Sequence, residues 1–422
     1  MATALFFGLP RQGHTNPTLP LVAELVRRGE HILYYSTEEY RAAIEATGAE
    51  FRDYGDIFPP DYVSYINNIL ASVRYLMQVT QRIIDPMLRE IQESQPDYIL
   101  YDSMALWGQY FAQLLRLPAI CSSSIFPCSW RMIMSVPSSV LKQLLSLNEY
   151  WRIITIGRHM HQKYGVRKLN FMDCLRSESQ MTLVYTSKYF QPFARLCDET
   201  FKFVGPSLQS RPHIPPFPFE ALQPLPLLYI SLGTIYHQRN EFYHCCFQAF
   251  GDAPYQVVLS VGEQTALEQL GPIPQNFIVR QSVPQLEILQ RTSLFITHAG
   301  MNSASEALYY GVPLLAIPEA NDQPYVARRI VQLGAGISLS PKQVTAPRLR
   351  CLAETILADT SYARASASIG ESLRQAGGFL AAVEEIQRFK QKHGIDQALA
   401  VPLGQHRSAS RSSPAQQNTL GF

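Results

Sequence analysis

The sequence has no long apolar run, and no segment approaches the ~20 residues that a helix needs to cross a bilayer. Its seven cysteines (Cys121, Cys128, Cys174, Cys197, Cys245, Cys246 and Cys351) are odd in number and form no C-x-x-C pair. That pattern excludes a disulfide framework or structural zinc as the organising device and predicts a reducing interior. Neither sign of charge is in real excess: 36 Lys plus Arg stand against 34 Asp plus Glu, a formal net charge of +2, so nucleic acid is not the expected partner. The first residues, MATALFFGLP, carry no basic group ahead of their short apolar run, which reads as a first strand and not as a signal peptide. A soluble, cytoplasmic protein is expected. The first loop has Gly8 and Gly13 but no G-x-G-x-x-G, which leaves a nicotinamide dinucleotide poorly supported. A G-x-x-x-x-G-K-[ST] loop and a D-x-D pair for a metal-bound diphosphate are also missing.

What is there is a long α/β chain. At 422 residues and 46% apolar content it is too long for one ordinary core, and two domains are expected. Residues 3 to 9 read as a strand, and the loop RQGHTNP (Arg11 to Pro17) leads into a helix with Leu19, Val22, Leu25 and Val26 at helical spacing. The run HILYYST from His31 is the next strand, giving a βαβ opening and a parallel sheet. Tyr98 to Tyr101 is a strand that delivers Asp102 at its carboxyl end. Residues 126 to 165, rich in Trp, Met, Leu, Ile and Tyr, read as helices that either line a pocket for an apolar molecule or serve as core or association surface. Met181 to Tyr185 is another strand. The proline-rich stretch 206–226 sustains neither helix nor central strand and reads as a linker between a domain over 1–205 and a second over 227–392. The second half repeats the α/β pattern through LLYISLGT, YQVVLSVG, NFIVRQSVPQ, LFITHAG and VPLLAIP. From about 393 to 422 the composition turns to Gln, Ser, Ala and Arg, and a disordered tail is expected.

The stretch from Leu294 to Pro324 carries most of the chemistry. An apolar strand ends at His298-Ala299-Gly300, where little bulk surrounds the bend, and Asn302 or Ser303 is placed to cap the helix that follows. A helix start of this composition can seat a phosphate on its unpaired N–H groups. Gly311 ends the helix, a second buried strand follows, and Asp322-Gln323 lie in an acidic loop suited to sugar hydroxyls; alone, such a pair is more often a solvated turn. Glu306 has two readings. In Ser303-Ala304-Ser305-Glu306 it fits a capping box, and one turn beyond a phosphate seat it also suits ribose hydroxyls. Gly233 and Thr234, ending the strand YISLG, offer a second backbone anion seat or only a tight turn.

In the first half, His14 lies between a strand and a helix, a placement from which imidazole can act as a general base. Asp102 can orient and charge-stabilise that ring, or merely cap a helix; spacing does not show that the two meet.

Taken together, GHTNP at 13 to 17, the strand-end Asp102, SLGT at 231 to 234, VPQLEIL at 283 to 289, THAGMNSASEALYYGVP at 297 to 313 and DQ at 322 to 323 resemble the family 1 nucleotide-sugar-dependent glycosyltransferases, most closely the microbial macrolide subgroup. The resemblance covers the chain to about residue 390. It implies a GT-B fold: two Rossmann-like α/β domains with parallel sheets facing across a cleft, acceptor on the first and sugar nucleotide on the second. It implies His14 as the base on the acceptor hydroxyl, with Asp102 as its partner. His298, Gly300, Asn302 and Ser303 would seat the diphosphate, with Gly233, Thr234, Val283 and Gln285 also on the nucleotide-sugar side. Glu306 would bind ribose, while Asp322 and Gln323 would hold the sugar. The implied reaction is one inverting displacement without metal or other cofactor, from a UDP- or dTDP-sugar to a lipophilic small-molecule acceptor. Two departures stand out: Ser282 occupies a position where many members stack Trp on the base, and Ala299 stands where Gly or Cys is common. A non-catalytic nucleotide-sugar-binding or activator relative, or a GT-B-fold epimerase, are the competing readings.

Overall fold

The computed structural model describes residues 2–58, 69–129, 131–132, 147–168, 171–176, 179–209, 216–233 and 240–395. Two parallel sheets dominate it. The first runs β1 (Thr3–Phe7), β2 (His31–Ser36), β3 (Glu50–Asp53), β4 (Tyr98–Asp102), β5 (Ala119–Ser123), β6 (Met181–Val184) and β7 (Phe201–Phe203), in the spatial order β3-β2-β1-β4-β5-β6-β7. The second contains β8 (Leu227–Ser231), β9 (Gln256–Ser260), β10 (Phe277–Arg280), β11 (Thr292–Thr297), β12 (Leu314–Ala316) and β13 (Gly336–Ser338), ordered β10-β9-β8-β11-β12-β13. The expected α/β architecture of two doubly wound halves is present.

Strands buried on both faces should read as apolar runs instead of alternating ones, and they do: every residue of β4, β5, β6 and β8 is buried. Each sheet has two apolar layers. Phe7, Tyr35, Trp107 and Phe111 belong to one face of the first sheet, and Phe6, Tyr34, Leu21 and Leu25 to the other. Phe295, Ala304 and Leu308 lie on one side of the second, with Ile296, Phe250 and Leu349 opposite.

The strand order reverses between β1 and β4, and again between β8 and β11. At such a point the two connections leave in opposite directions and open a crevice at the carboxyl ends of the strands. Phe7 pairs with Tyr101 across the first switch and Ser231 with Thr297 across the second, so the loops carrying His14 and Asp102 begin side by side, as do those carrying Gly233 and His298.

One expectation changes. The second half does not keep its last helix: Gly378–Lys392 packs Ala382, Val383, Ile386 and Phe389 against Leu21, Leu25 and Tyr98 of the first half. Gly377 and Gly378 make the crossing at φ +90° and +66°, values few side-chain-bearing residues adopt, and the Gly378 N–H donates to Val204 O at 2.6 Å. The apolar face of that helix is complementary to the first domain, so the chain returns to the first half after Gly378. Buried Lys390 pairs with buried Glu30. Of the linker, residues 210–215 lie outside the described residues, while Phe217 is already buried against the second domain. The tail over 396–422 also lies outside them, as do 59–68 and 133–146. Helix Leu147–Tyr164 buries Ile153 and Met160 in the first core and leaves Trp151 59% exposed. Among the described residues no helix is long and apolar enough to cross a membrane, and all seven cysteines are free.

Candidate active site

Where β1 ends, Leu9 and Pro10 lead into a four-residue helix, Gln12–Thr15, that carries His14. Its Nδ1 lies 2.9 Å from Asp102 Oδ2, so the pairing left open by the sequence is made. Asp102 is 1% exposed, and its other oxygen accepts the Met104 N–H at 2.8 Å. The helix that follows begins at Leu106 behind Ala105, so Asp102 steadies its own turn and does not cap a helix. A carboxylate held this way fixes the imidazole with Nδ1–H toward Asp102 and the Nε2 lone pair outward, the tautomer that a base needs.

A third group was not foreseen. Ser124 Oγ lies 3.0 Å from the same Nδ1. Its only sequence signal is the serine run closing β5, next to β4 in the sheet. Burial opposes charge on His14, but the Asp102 carboxylate and, across the cleft, that of Asp322 outweigh it and raise the imidazole above its ordinary pKa. Burial in turn raises the Asp322 carboxyl, against hydrogen bonds from backbone N–H groups and the attraction of His14.

The second sheet supplies the facing wall. His298 follows β11 directly, and burial lowers it to about 4 against a hydrogen bond to the Ser231 backbone. The ring is therefore neutral near pH 7 and carries one N–H, which the Ser231 backbone holds. Its space is defined by two glycines: a Cβ on Gly233 would lie 2.5 Å from Cε1, and one on Gly300 2.4 Å from Nε2. Gly233 has φ +77° and its N–H already donates to Ser231 Oγ at 3.3 Å, while Thr234 lies outside the described residues. Ala299 takes φ +61°, which explains why a small residue belongs there.

Helix Met301–Tyr309 starts at Gly300 with no side-chain cap, so Asn302 and Ser303 sit in its first turn and not at its cap. The capping-box reading of Glu306 is thereby excluded. Glu306 is 4% exposed and accepts a hydrogen bond from Gln285 Nε2, whose Oε1 is held by Tyr229 Oη at 3.0 Å and whose Nε2 also reaches Ser303 Oγ at 3.4 Å. The sequence placed Gln285 near the nucleotide without showing that it and Glu306 form one buried polar group. Val283 is buried in the apolar cluster beside them.

Asp322 precedes helix Gln323–Gln332 and its Oδ2 accepts the Met301 N–H at 3.3 Å, across the start of the other helix. Gln323 closes its own loop, Oε1 accepting the N–H groups of Glu319 and Ala320 at 2.8 and 3.2 Å. Asn302 reaches furthest: its Nδ2 donates to the Gly13 carbonyl of the first domain at 2.6 Å. His14 with Asp102 from the first half, and Asp322 with the uncapped start of helix Met301–Tyr309 from the second, thus come together where Asn302 meets Gly13.

Residues 246–376 match the model of the erythromycin biosynthesis protein CIII-like C-terminal domain. The chain is 33% identical over 404 residues to the uncharacterized UDP-glucosyltransferase YojK of Bacillus subtilis (strain 168), covering 93% of this chain and 98% of that one. It is 34% identical over 404 residues to the NDP-glycosyltransferase YjiC of Bacillus licheniformis, covering 92% and 98%. The chain belongs to the family 1 glycosyltransferases, in the macrolide-type group. The crystal structure of the calicheamicin glycosyltransferase CalG4 superposes at a TM-score of 0.77 with 27% identity, covering 93% of this chain and 99% of that one, and the GT-B fold of this glycosyltransferase follows.

Proposed function

We propose that this glycosyltransferase moves a hexose from a UDP- or dTDP-sugar to a hydroxyl of a lipophilic natural product by a single inverting displacement. The observation that carries the reading is the His14–Asp102 pair at 2.9 Å, held on one domain within electrostatic reach of Asp322 on the other. His14 Nε2 takes the proton of the acceptor hydroxyl as its oxygen attacks the anomeric carbon. The bond from that carbon to the diphosphate oxygen breaks, and its electron pair leaves with the nucleoside diphosphate. Attack opposite the leaving group inverts the centre. Asp102 stabilises the imidazolium that forms, as a buried carboxylate does without taking the proton itself.

On the donor side, the leaving charge meets the N-terminus of helix Met301–Tyr309 and Ser303, and the neutral His298 joins them when its one N–H turns from the Ser231 backbone. Glu306, tied to Gln285, faces the ribose, and Asp322 with Gln323 takes the sugar hydroxyls. Ser282 in place of a stacking Trp keeps both uracil and thymine within the reading. The seven free thiols support a reducing, cytoplasmic setting.

The test is product analysis by mass spectrometry of the purified protein with UDP- and dTDP-sugars against phenolic, macrolide and sterol acceptors. A glycosylated acceptor supports transfer. A changed sugar nucleotide without acceptor points to an epimerase, and binding without any product to a non-catalytic relative. Because the diphosphate is assigned to a helix start and neutral donors, excess chelator should leave the initial rate unchanged; a strict divalent-ion requirement would contradict that assignment.

A further inference from the structure

The cross-domain hydrogen bond of Asn302 does more than line a phosphate seat. Helix Gln12–Thr15 is one turn long, begins at Arg11 with no side-chain cap, and is too short to be stable by itself in water. Its internal support consists of backbone bonds such as His14 N–H to Arg11 O at 2.9 Å and Asn16 N–H to Gln12 O at 3.0 Å. The last carbonyls of any helix lack partners within it. One of these, Gly13 O, is taken by Asn302 Nδ2 at 2.6 Å, from a residue 289 positions away on the donor-side helix. Gly13 is the residue directly before His14, so this bond sets the rotation of the segment that aims the imidazole. An amide nitrogen carries two N–H groups. With one committed to Gly13, the other remains for an anion seated at the start of helix Met301–Tyr309.

We infer that Asn302 is a positioning residue: it fixes the His14 turn against Asp102 from the opposite domain, so that the base is aimed only when the two domains are in register around the donor. The inference rests on the proposed reading of His14 as the base. It differs from the phosphate-seat role implied by resemblance, which acts on the donor and its leaving group and leaves the titration of His14 unmoved. If the bond is removed, the His14 turn loses its anchor on the donor domain and the imidazole moves from the carboxylates of Asp102 and Asp322. At saturating donor the turnover then falls, and the histidine loses the attraction that raises its pKa.

The experiment measures kcat against pH at saturating donor for wild type, Asn302→Ala, Asn302→Asp, His14→Ala and the double variant His14→Ala/Asn302→Ala. Circular dichroism and thermal unfolding establish that each is folded. Asn302→Asp keeps the shape but places an oxygen against the Gly13 carbonyl, so it should reproduce the alanine loss even if the cavity left by alanine is repacked. The expected result is a fall in kcat of about tenfold to a hundredfold, the range that a small misplacement of a reacting group produces. The acid limb of the Asn302→Ala profile should move to lower pH, and Asn302→Ala should add nothing in the His14→Ala background, as expected of residues acting as one unit. A loss confined to donor KM with an unmoved pH profile, or equal fold losses in both backgrounds, would overturn this inference while leaving the base assignment standing. Full turnover by His14→Ala would overturn both.

Discussion

Replacing His14 with alanine is expected to lower kcat by about 10²- to 10⁴-fold, the usual contribution of a positioned general base, while the affinity for nucleoside diphosphate stays nearly unchanged. The separation follows from geometry. His14 and its partners Asp102 and Ser124 all come from the first sheet, whereas the residues assigned to the diphosphate and ribose come from loops and helices of the second. Steady-state kinetics and calorimetry with UDP and dTDP measure the two sides independently, and retained turnover would sink the base assignment. The wild-type pH profile carries the same information. A base works only when deprotonated, and the two neighbouring carboxylates raise His14 above its ordinary value. The rate should therefore be low at acid pH and rise through an apparent pKa above the ~6.5 of an unperturbed histidine. His298 should not contribute to that limb, because burial holds it at about 4. Asp102→Asn should move the limb downward and also lower its plateau, since the amide no longer stabilises the imidazolium.

Replacing Lys390 with methionine should destabilise the protein by about 3–5 kcal/mol, because it leaves the Glu30 carboxylate buried without its cation. Lys390 is 3% exposed and Glu30 6%, and Tyr98 Oη also approaches that carboxylate, at 3.4 Å. Urea unfolding of the single variant, of Glu30→Gln and of the double Glu30→Leu/Lys390→Met measures it. The double should recover much of the loss, since removing both charges together avoids the unpaired one. If the single variant unfolds like wild type, water reaches the pair and it does not hold the helix. The consequence extends to the proposed reaction: helix Gly378–Lys392 begins in the second domain and docks on the first, so its loosening lets His14 and the helix start at Met301 drift apart. A fall in turnover larger than the fall in nucleotide affinity is expected.

Much of this was legible in the chain. The apolar runs and their turn residues marked most of the strands near the site, because a strand covered on both faces excludes polar side chains. The loops bearing His14, Asp102, His298 and Asp322 were found as strand-end positions of unusual composition. Other parts were misread or missed for reasons that spacing does not encode. Glu306 satisfies a capping box by pattern, but the helix begins three residues earlier than that pattern needs, at Met301, and Glu306 turns inward to Gln285. Helix Gly378–Lys392 follows the second domain in sequence and packs on the first, since its apolar face fits Leu21 and Leu25 and two glycines let the chain cross.

The sequence by itself determined two doubly wound halves, a helix start open to an anion, and an imidazole and a carboxylate each at the end of a strand. All of these depend on local pattern: side-chain period, turn residues and helix ends. Only the tertiary structure decided that His14 meets Asp102, because that requires β1 and β4 to be neighbours although β2 and β3 separate them in the chain. Only it decided that Asn302 closes on Gly13, a hydrogen bond, and that Asp322 acts on His14, an electrostatic attraction, both between two independently wound halves. Partners brought together by strand order and domain docking leave no periodic trace in a sequence, and they are the ones that turn two crevices into a single site.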